Sequence, residues 1–153
     1  DGAEHARLAA VLGYLPDTAG FAADSPVIAH TPGEIAAILS PHYPAMGLAA
    51  LEGRMNALAA TATMAPAVPL RPLMAALRTR GLRLGLATND TEVPAKVHME
   101  EAGIADLLDM ILDCDSGYGG KPEPGMLLAF ARHTGIAPGR IAMVPPVGVG
   151  FLL

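Results

Sequence analysis

A single cysteine, Cys114, stands in the 153-residue chain. One thiol cannot close an intrachain disulfide, so a stapled secreted scaffold is excluded and a reducing, cytoplasmic setting is expected. Charge is sparse too. Asp, Glu, Lys and Arg make up 16% of the residues, the net charge is −5, and no run of basic residues occurs. Nucleic acid, which needs a clustered positive face, is therefore not an expected partner. A small anion needs only one local positive site and remains open. The uncharged stretch from Met55 to Leu70 is too short to cross a bilayer and contains Pro66 and Pro69, so no membrane span is expected. No signal-peptide pattern is visible. His5, His30, His42, His98 and His133 form no i, i+4 pair, which leaves a zinc site without support. Ser25 and Ser116 lack the G-x-S-x-G setting of a hydrolase nucleophile.

What the chain does have is apolar mass: 52% of its residues are hydrophobic, enough for one domain with a real core, or a small domain and a partial one. Residues 4–12 read as an amphipathic helix closed by Gly13, followed by a polar loop through Asp24-Ser25-Pro26. Thr31-Pro32-Gly33-Glu34 has the form of a capping box with Pro at the first helical position, and predicts a helix to about Ser40. An Ala-rich helix is expected over Gly47 to Ala60, so the first 60 or so residues read as helical with no strand. From Ala65 the pattern changes to alternation. A helix over 69–80 closed by Gly81 leads to strand 82–87, helix 91–102, strand 109–113, helix 123–134 and strand 140–144. Such alternation predicts an α/β fold with a parallel sheet, right-handed crossovers and a ligand beyond the carboxyl ends of the strands. The expected division is a helical domain over residues 1–64 and a partial α/β core over 65–153.

Two features converge on that ligand side. Thr88 and Asn89 follow one strand and precede a helix, where outward backbone N–H groups, a hydroxyl and an amide suit an anion. By themselves they read first as helix caps. Lys121 lies in the Gly-rich loop Asp115-Ser116-Gly117-Tyr118-Gly119-Gly120-Lys121-Pro122, where an ammonium can offset phosphoryl charge. A lone lysine is more often a solvated surface group. The joint placement of Thr88 and Lys121 turns the reading toward a phosphoryl site, with Asn89 and Asp115 beside it. Asp113 and Asp115 offer oxygen ligands of the kind a hard cation prefers, while Asp113 also reads as a turn-former bonding to nearby backbone.

Leu86-Ala87-Thr88-Asn89-Asp90 and Asp115 to Met126 resemble motifs II and III of the haloacid dehalogenase superfamily, closest to its phosphoglycolate-phosphatase-like branch. Ile141-Ala142-Met143-Val144 resembles the strand leading into motif IV, and residues 1–64 resemble the helical cap of that branch. The resemblance implies a Rossmann-like core under a helical cap and a Mg²⁺-dependent phosphatase for a small phosphorylated metabolite, phosphoglycolate first. It implies hydrolysis through an aspartyl-phosphate formed on a first-strand Asp, with a second Asp as acid and base. Thr88 and Lys121 would be its catalytic residues, and Thr88, Asn89, Lys121 and Asp115 its phosphate-binding residues. Covalent catalysis divides the reaction, while metal and lysine offset crowded negative charge.

Parts of that pattern are missing. No apolar strand ending in Asp-x-Asp-Gly-Thr precedes the first helix, where the chain reads Asp1-Gly2-Ala3. After Val144 the chain reads Pro145-Pro146-Val147-Gly148-Val149-Gly150-Phe151-Leu152-Leu153, without an acidic residue. The expectation is a chain truncated at motif I and altered at motif IV, catalytically incomplete and with no complete set of metal ligands. A phosphate- or partner-binding remnant is the alternative from another class. A dehalogenase of the same superfamily is disfavoured by the Gly-rich Lys121 loop. Loss of the first, central strand also predicts unpaired edges and exposed apolar faces on the neighbouring strands, strand 82–87 included, and a chain that is aggregation-prone or only loosely folded.

Overall fold

One short strand, buried on both faces, organises the core. In the computed structural model, which describes residues 2–63, 68–144 and 149–153, Gly85–Thr88 forms strand β3 with every residue buried. The preceding Leu84 and then Leu86 face a cluster with Met74, Ala95, Met99 and Ile104. Ala87, on the opposite face, packs with Leu112, Met126, Ala129 and Phe130. Alternate side chains of a strand point to opposite faces, so helices α5 (Leu70–Thr79) and α6 (Glu92–Glu101) cover one side and α7 (Gly125–Thr134) the other. This is the two-faced α/β arrangement expected from the alternation.

The sheet order is β4-β3-β6-β5, with β4 at Met110–Leu112, β5 at Met143–Val144 and β6 at Val149–Leu152. β3 and β4 pair in parallel, as predicted. β6 runs antiparallel between β3 and β5, with Thr88 opposite Val149 and Val144 opposite Phe151. Two successive antiparallel pairings leave β5 pointing the same way as β3 and β4. The structure therefore corrects the expectation of an unpaired edge beside strand 82–87. The C-terminal segment, which carries no strand signal beyond its apolar residues, supplies the missing backbone partners.

Strand limits are tighter than the hydrophobic runs, for a local reason. Asp109 accepts the Leu84 N–H at 2.8 Å through Oδ2 and donates its own N–H to the Leu84 carbonyl at 2.7 Å. A side chain thus takes the place of a strand neighbour before Gly85. The same carboxylate pairs with Arg78 at 2.6 Å and Arg83 at 2.9 Å. At the other end of β4, Asp113 gives its N–H to the Ser116 hydroxyl, which stops the ladder at Leu112.

The N-terminal unit is helical with one correction. Helices α1 (Gly2–Leu12), α2 (Pro26–Ala29), α3 (Pro32–Leu39) and α4 (Leu48–Ala60) pack around Ile35, Ala36, Leu39 and Leu51. The capping box forms as read: Thr31 accepts the Glu34 N–H while the Glu34 carboxylate accepts from Thr31. The segment expected to be a plain loop after Gly13 contains a hairpin, β1 (Tyr14–Leu15) against β2 (Gly20–Phe21). Tyr14 and Phe21 pair edge to face at 5.4 Å between ring centres, a cross-strand contact that composition alone did not reveal. Among the described residues no helix is long and apolar enough to cross a membrane. The expected boundary between residues 64 and 65 lies outside the described residues.

Two stability outcomes follow from this packing. A Cβ at Gly85 would sit 2.7 Å from Cε2 of the fully buried Phe130. Gly85→Ala should therefore cost about 1–3 kcal/mol in denaturant melts, as overpacking does. Burial opposes ionisation of Asp109, but Arg78, the Leu84 N–H and Arg83 outweigh it and hold the carboxyl below its ordinary value of 3.8. Its contribution is full above that value and is lost as the pH falls through the folded-state pKa. Asp109→Asn should lower stability by about 1 kcal/mol at neutral pH, since both arginines are partly solvated. The difference should vanish in strong acid, which melts across a pH series will check.

Candidate functional site

The carboxyl ends of β3 and β4 meet in a knot of side chain to backbone bonds. Thr88, the last residue of β3, is 1% exposed. Its hydroxyl donates to Asp90 Oδ2 at 2.8 Å and accepts the Asp90 N–H at 3.1 Å. The Asp90 carbonyl in turn accepts the Cys114 N–H at 3.0 Å, tying this turn to the loop after β4. Neither Thr88 nor Asn89 caps α6. That position belongs to Thr91, whose buried hydroxyl has no hydrogen-bond partner among the described residues.

Asn89, 8% exposed, is turned toward the Lys121 loop and the N-terminal unit. Its Oδ1 accepts the Lys121 N–H at 2.6 Å, and its Nδ2 donates to the Lys121 carbonyl at 3.1 Å and to the Ala29 carbonyl at 2.8 Å. A Cβ at Gly120 would lie 3.2 Å from Thr31 Cγ2 and 3.3 Å from Asn89 Oδ1, so the loop runs close under the N-terminal unit here. Burial pushes the Lys121 ammonium below the ordinary lysine value, and the Asp90 carboxylate opposes that shift.

Asp115 is exposed, and its Oδ2 accepts the Glu92 N–H at 3.3 Å, in the first turn of α6. A carboxylate thereby serves the positive end of that helix. Asp113, 5% exposed, accepts the Asp115 N–H at 2.9 Å, the turn-forming role read from the sequence. Between them, burial first and then the carboxylates of Asp115 and Asp113 push the Cys114 thiol up to about 12. It stays protonated near neutral pH and is not a ready nucleophile.

Thr88, Asn89, Asp115 and Lys121 thus gather at one end of the sheet. Asp90 joins them and was not singled out in the sequence, although its place directly after Thr88-Asn89 was the available signal. Asp1 and the segment 145–148, at the two places where the motif I and motif IV patterns are missing, lie outside the described residues. Among the described residues, no three His, Cys, Asp or Glu side chains come close enough together to hold a metal ion. The described residues therefore do not by themselves make up a Mg²⁺ site.

The donors at this end are the Thr88 hydroxyl and the Glu92 N–H, each engaged by a carboxylate, and both are of the kind an anion accepts from.

A family model described as haloacid dehalogenase-like hydrolase matches residues 34–144. Among curated proteins, a phosphoglycolate phosphatase of Rhodospirillum rubrum is 36% identical over 72 residues, 47% of this chain and 30% of that protein. A phosphoglycolate phosphatase of Nitrosococcus oceani is 34% identical over 71 residues, 46% of this chain and 32% of that protein. The chain thus matches about a third of the length of these relatives. No solved structure matches it significantly. The motif pattern, the two-faced sheet and the match over residues 34–144 agree: the chain belongs to the haloacid dehalogenase-like hydrolases.

Proposed function

We propose that this chain carries the phosphoryl-binding half of a phosphatase acting on a small phosphate monoester, with phosphoglycolate the first candidate. The observation that carries the reading is the convergence of Thr88 and Lys121 at the ligand end of β3, joined through Asn89. In this reading Thr88 donates to a phosphoryl oxygen and Lys121 supplies charge. Asp115 holds the first turn of α6 until an anion replaces it. The two relatives named as phosphoglycolate phosphatases support the substrate class. Residues 1–64 act as a cap over the core 65–153, a role supported by the Asn89 bond to Ala29 and the His98 bond to the Ala59 carbonyl. Magnesium belongs to the reading through the family alone.

A second reading, phosphate binding without turnover, has its own support. Asp90, Asp113 and Asp115 are each engaged by a neighbouring hydroxyl or backbone N–H. None is held as an unencumbered nucleophile, and the described residues assemble no metal site.

Binding and turnover separate the two. Inorganic phosphate should bind the chain, as followed by amide shifts of Thr88, Glu92 and Lys121. Thr88→Val and Lys121→Met should each weaken it about tenfold, the effect of one charge-assisted hydrogen bond. Asp115→Asn should tighten it about threefold at low salt by removing a competing charge from the α6 terminus. No phosphate binding, or no effect of Thr88→Val and Lys121→Met, would sink the reading. Phosphate release from phosphoglycolate, assayed with Mg²⁺ and with chelator, then decides between enzyme and binder. Metal-dependent release selects the phosphatase, and binding without release selects the second reading.

A further inference from the structure

Asparagine has two amide hydrogens to give and one carbonyl oxygen to receive with. Asn89 commits all of them to main chain from two distant parts of the sequence: the Lys121 N–H and carbonyl on one side, the Ala29 carbonyl on the other. The pairing with Lys121 copies one rung of a strand ladder, with donor and acceptor both matched on one residue. The third bond reaches the last residue of α2, a single-turn helix held at its start by Ser25. Ser25 is itself buried, accepting the Val27 N–H at 3.2 Å and donating to the Leu12 carbonyl at 2.6 Å. Gly120 completes the junction, since there is no room for a Cβ to pass easily between Thr31 and Asn89.

We infer that Asn89 is a positioning residue that couples the seating of the N-terminal helical unit to the placement of the Lys121 loop. Its side chain sets where the Lys121 backbone lies relative to Thr88, and the Ala29 bond makes that setting depend on α2. When α2 shifts, Asn89 loses a buried partner, and a buried unsatisfied amide is costly enough to make the residue turn or the loop move. Access to the site and presentation of the lysine are then one event. The importance of the junction for a phosphoryl ligand rests on the function proposed above, whereas the mechanical coupling does not.

Amide hydrogen exchange by NMR on the whole chain tests the coupling without any ligand. Asn89→Ala should speed exchange at Lys121 about tenfold, the loss of one hydrogen bond. Asn89→Asp keeps an acceptor for the Lys121 N–H but no donor for Ala29, and circular dichroism will establish that it folds if the alanine variant melts. It should retain most Lys121 protection while speeding exchange at His30, which donates to the Pro26 carbonyl in α2. The decisive arm is Ser25→Ala, which loosens α2 from its start. It should speed Lys121 exchange severalfold in the wild-type background and add nothing in the Asn89→Asp background, as coupled sites behave in a double-mutant cycle. Unchanged Lys121 exchange in Ser25→Ala, or additive effects in the double variant, would overturn the proposal. Phosphate affinity of the same variants is a separate readout. Coupling without phosphate binding keeps the junction and discards the phosphoryl reading, and binding without coupling does the reverse.

Discussion

Strand β3 is buried on both faces and hydrogen-bonded along both edges, and the rest of the molecule answers to that constraint. A strand so enclosed cannot leave any backbone group to water. Its neighbours must therefore be supplied by the chain, in parallel by β4 and antiparallel by β6. Its faces must be covered by helices, which is why Leu84 and Leu86 look toward α5 and α6 while Ala87 looks toward α7. The close seat of Phe130 over Gly85 follows from the same enclosure.

Where the strands stop, side chains take over the hydrogen bonding. Asp109 does this at the amino end, binding both main-chain groups of Leu84 through its side chain and backbone. Asn89 does it at the carboxyl end with both main-chain groups of Lys121. Asp113 does it in the adjoining loop, where Ser116 and Asp115 supply partners. One physical requirement, satisfaction of buried backbone polarity, thus fixes the ends of the ladder and the shape of the candidate site together. The site is made from the devices that terminate the sheet.

Charge at that end is unequal. Asp90, Asp113 and Asp115 all act on Cys114, while the partly buried Lys121 feels Asp90. The carboxylates of Asp90 and Asp115 engage the Thr88 hydroxyl and the Glu92 N–H, so under the proposed function an anion would exchange with them rather than fill a vacant cradle. Exchange keeps the donors oriented in advance, at the expense of competition from the residents.

Much of the architecture was legible locally. The Thr31 capping box, helices α4 to α7, and the alternation that makes a two-faced sheet are written in short-range patterns, because caps and amphipathic periods depend on near neighbours. The Thr88 and Lys121 motifs were legible for the same reason, each being a contiguous string at a strand end. The hairpin at Tyr14 and Phe21 and the antiparallel insertion of β6 were not, since two-residue strands and a Gly-rich tail carry too few side chains to show a period. Nor was the part played by Asn89. Its residue type made it a candidate anion donor, but whether an amide faces a ligand or main chain depends on which groups lie within reach. Ala29 and Lys121 reach it from 60 and 32 residues away in sequence. Sequence by itself determined helices α1 and α3 to α7, the parallel pair β3 and β4, the family and the polar residues available at the strand ends. Tertiary structure alone decided their partners, because a hydrogen bond is a matter of distance in space and those distances exist only once the sheet has closed.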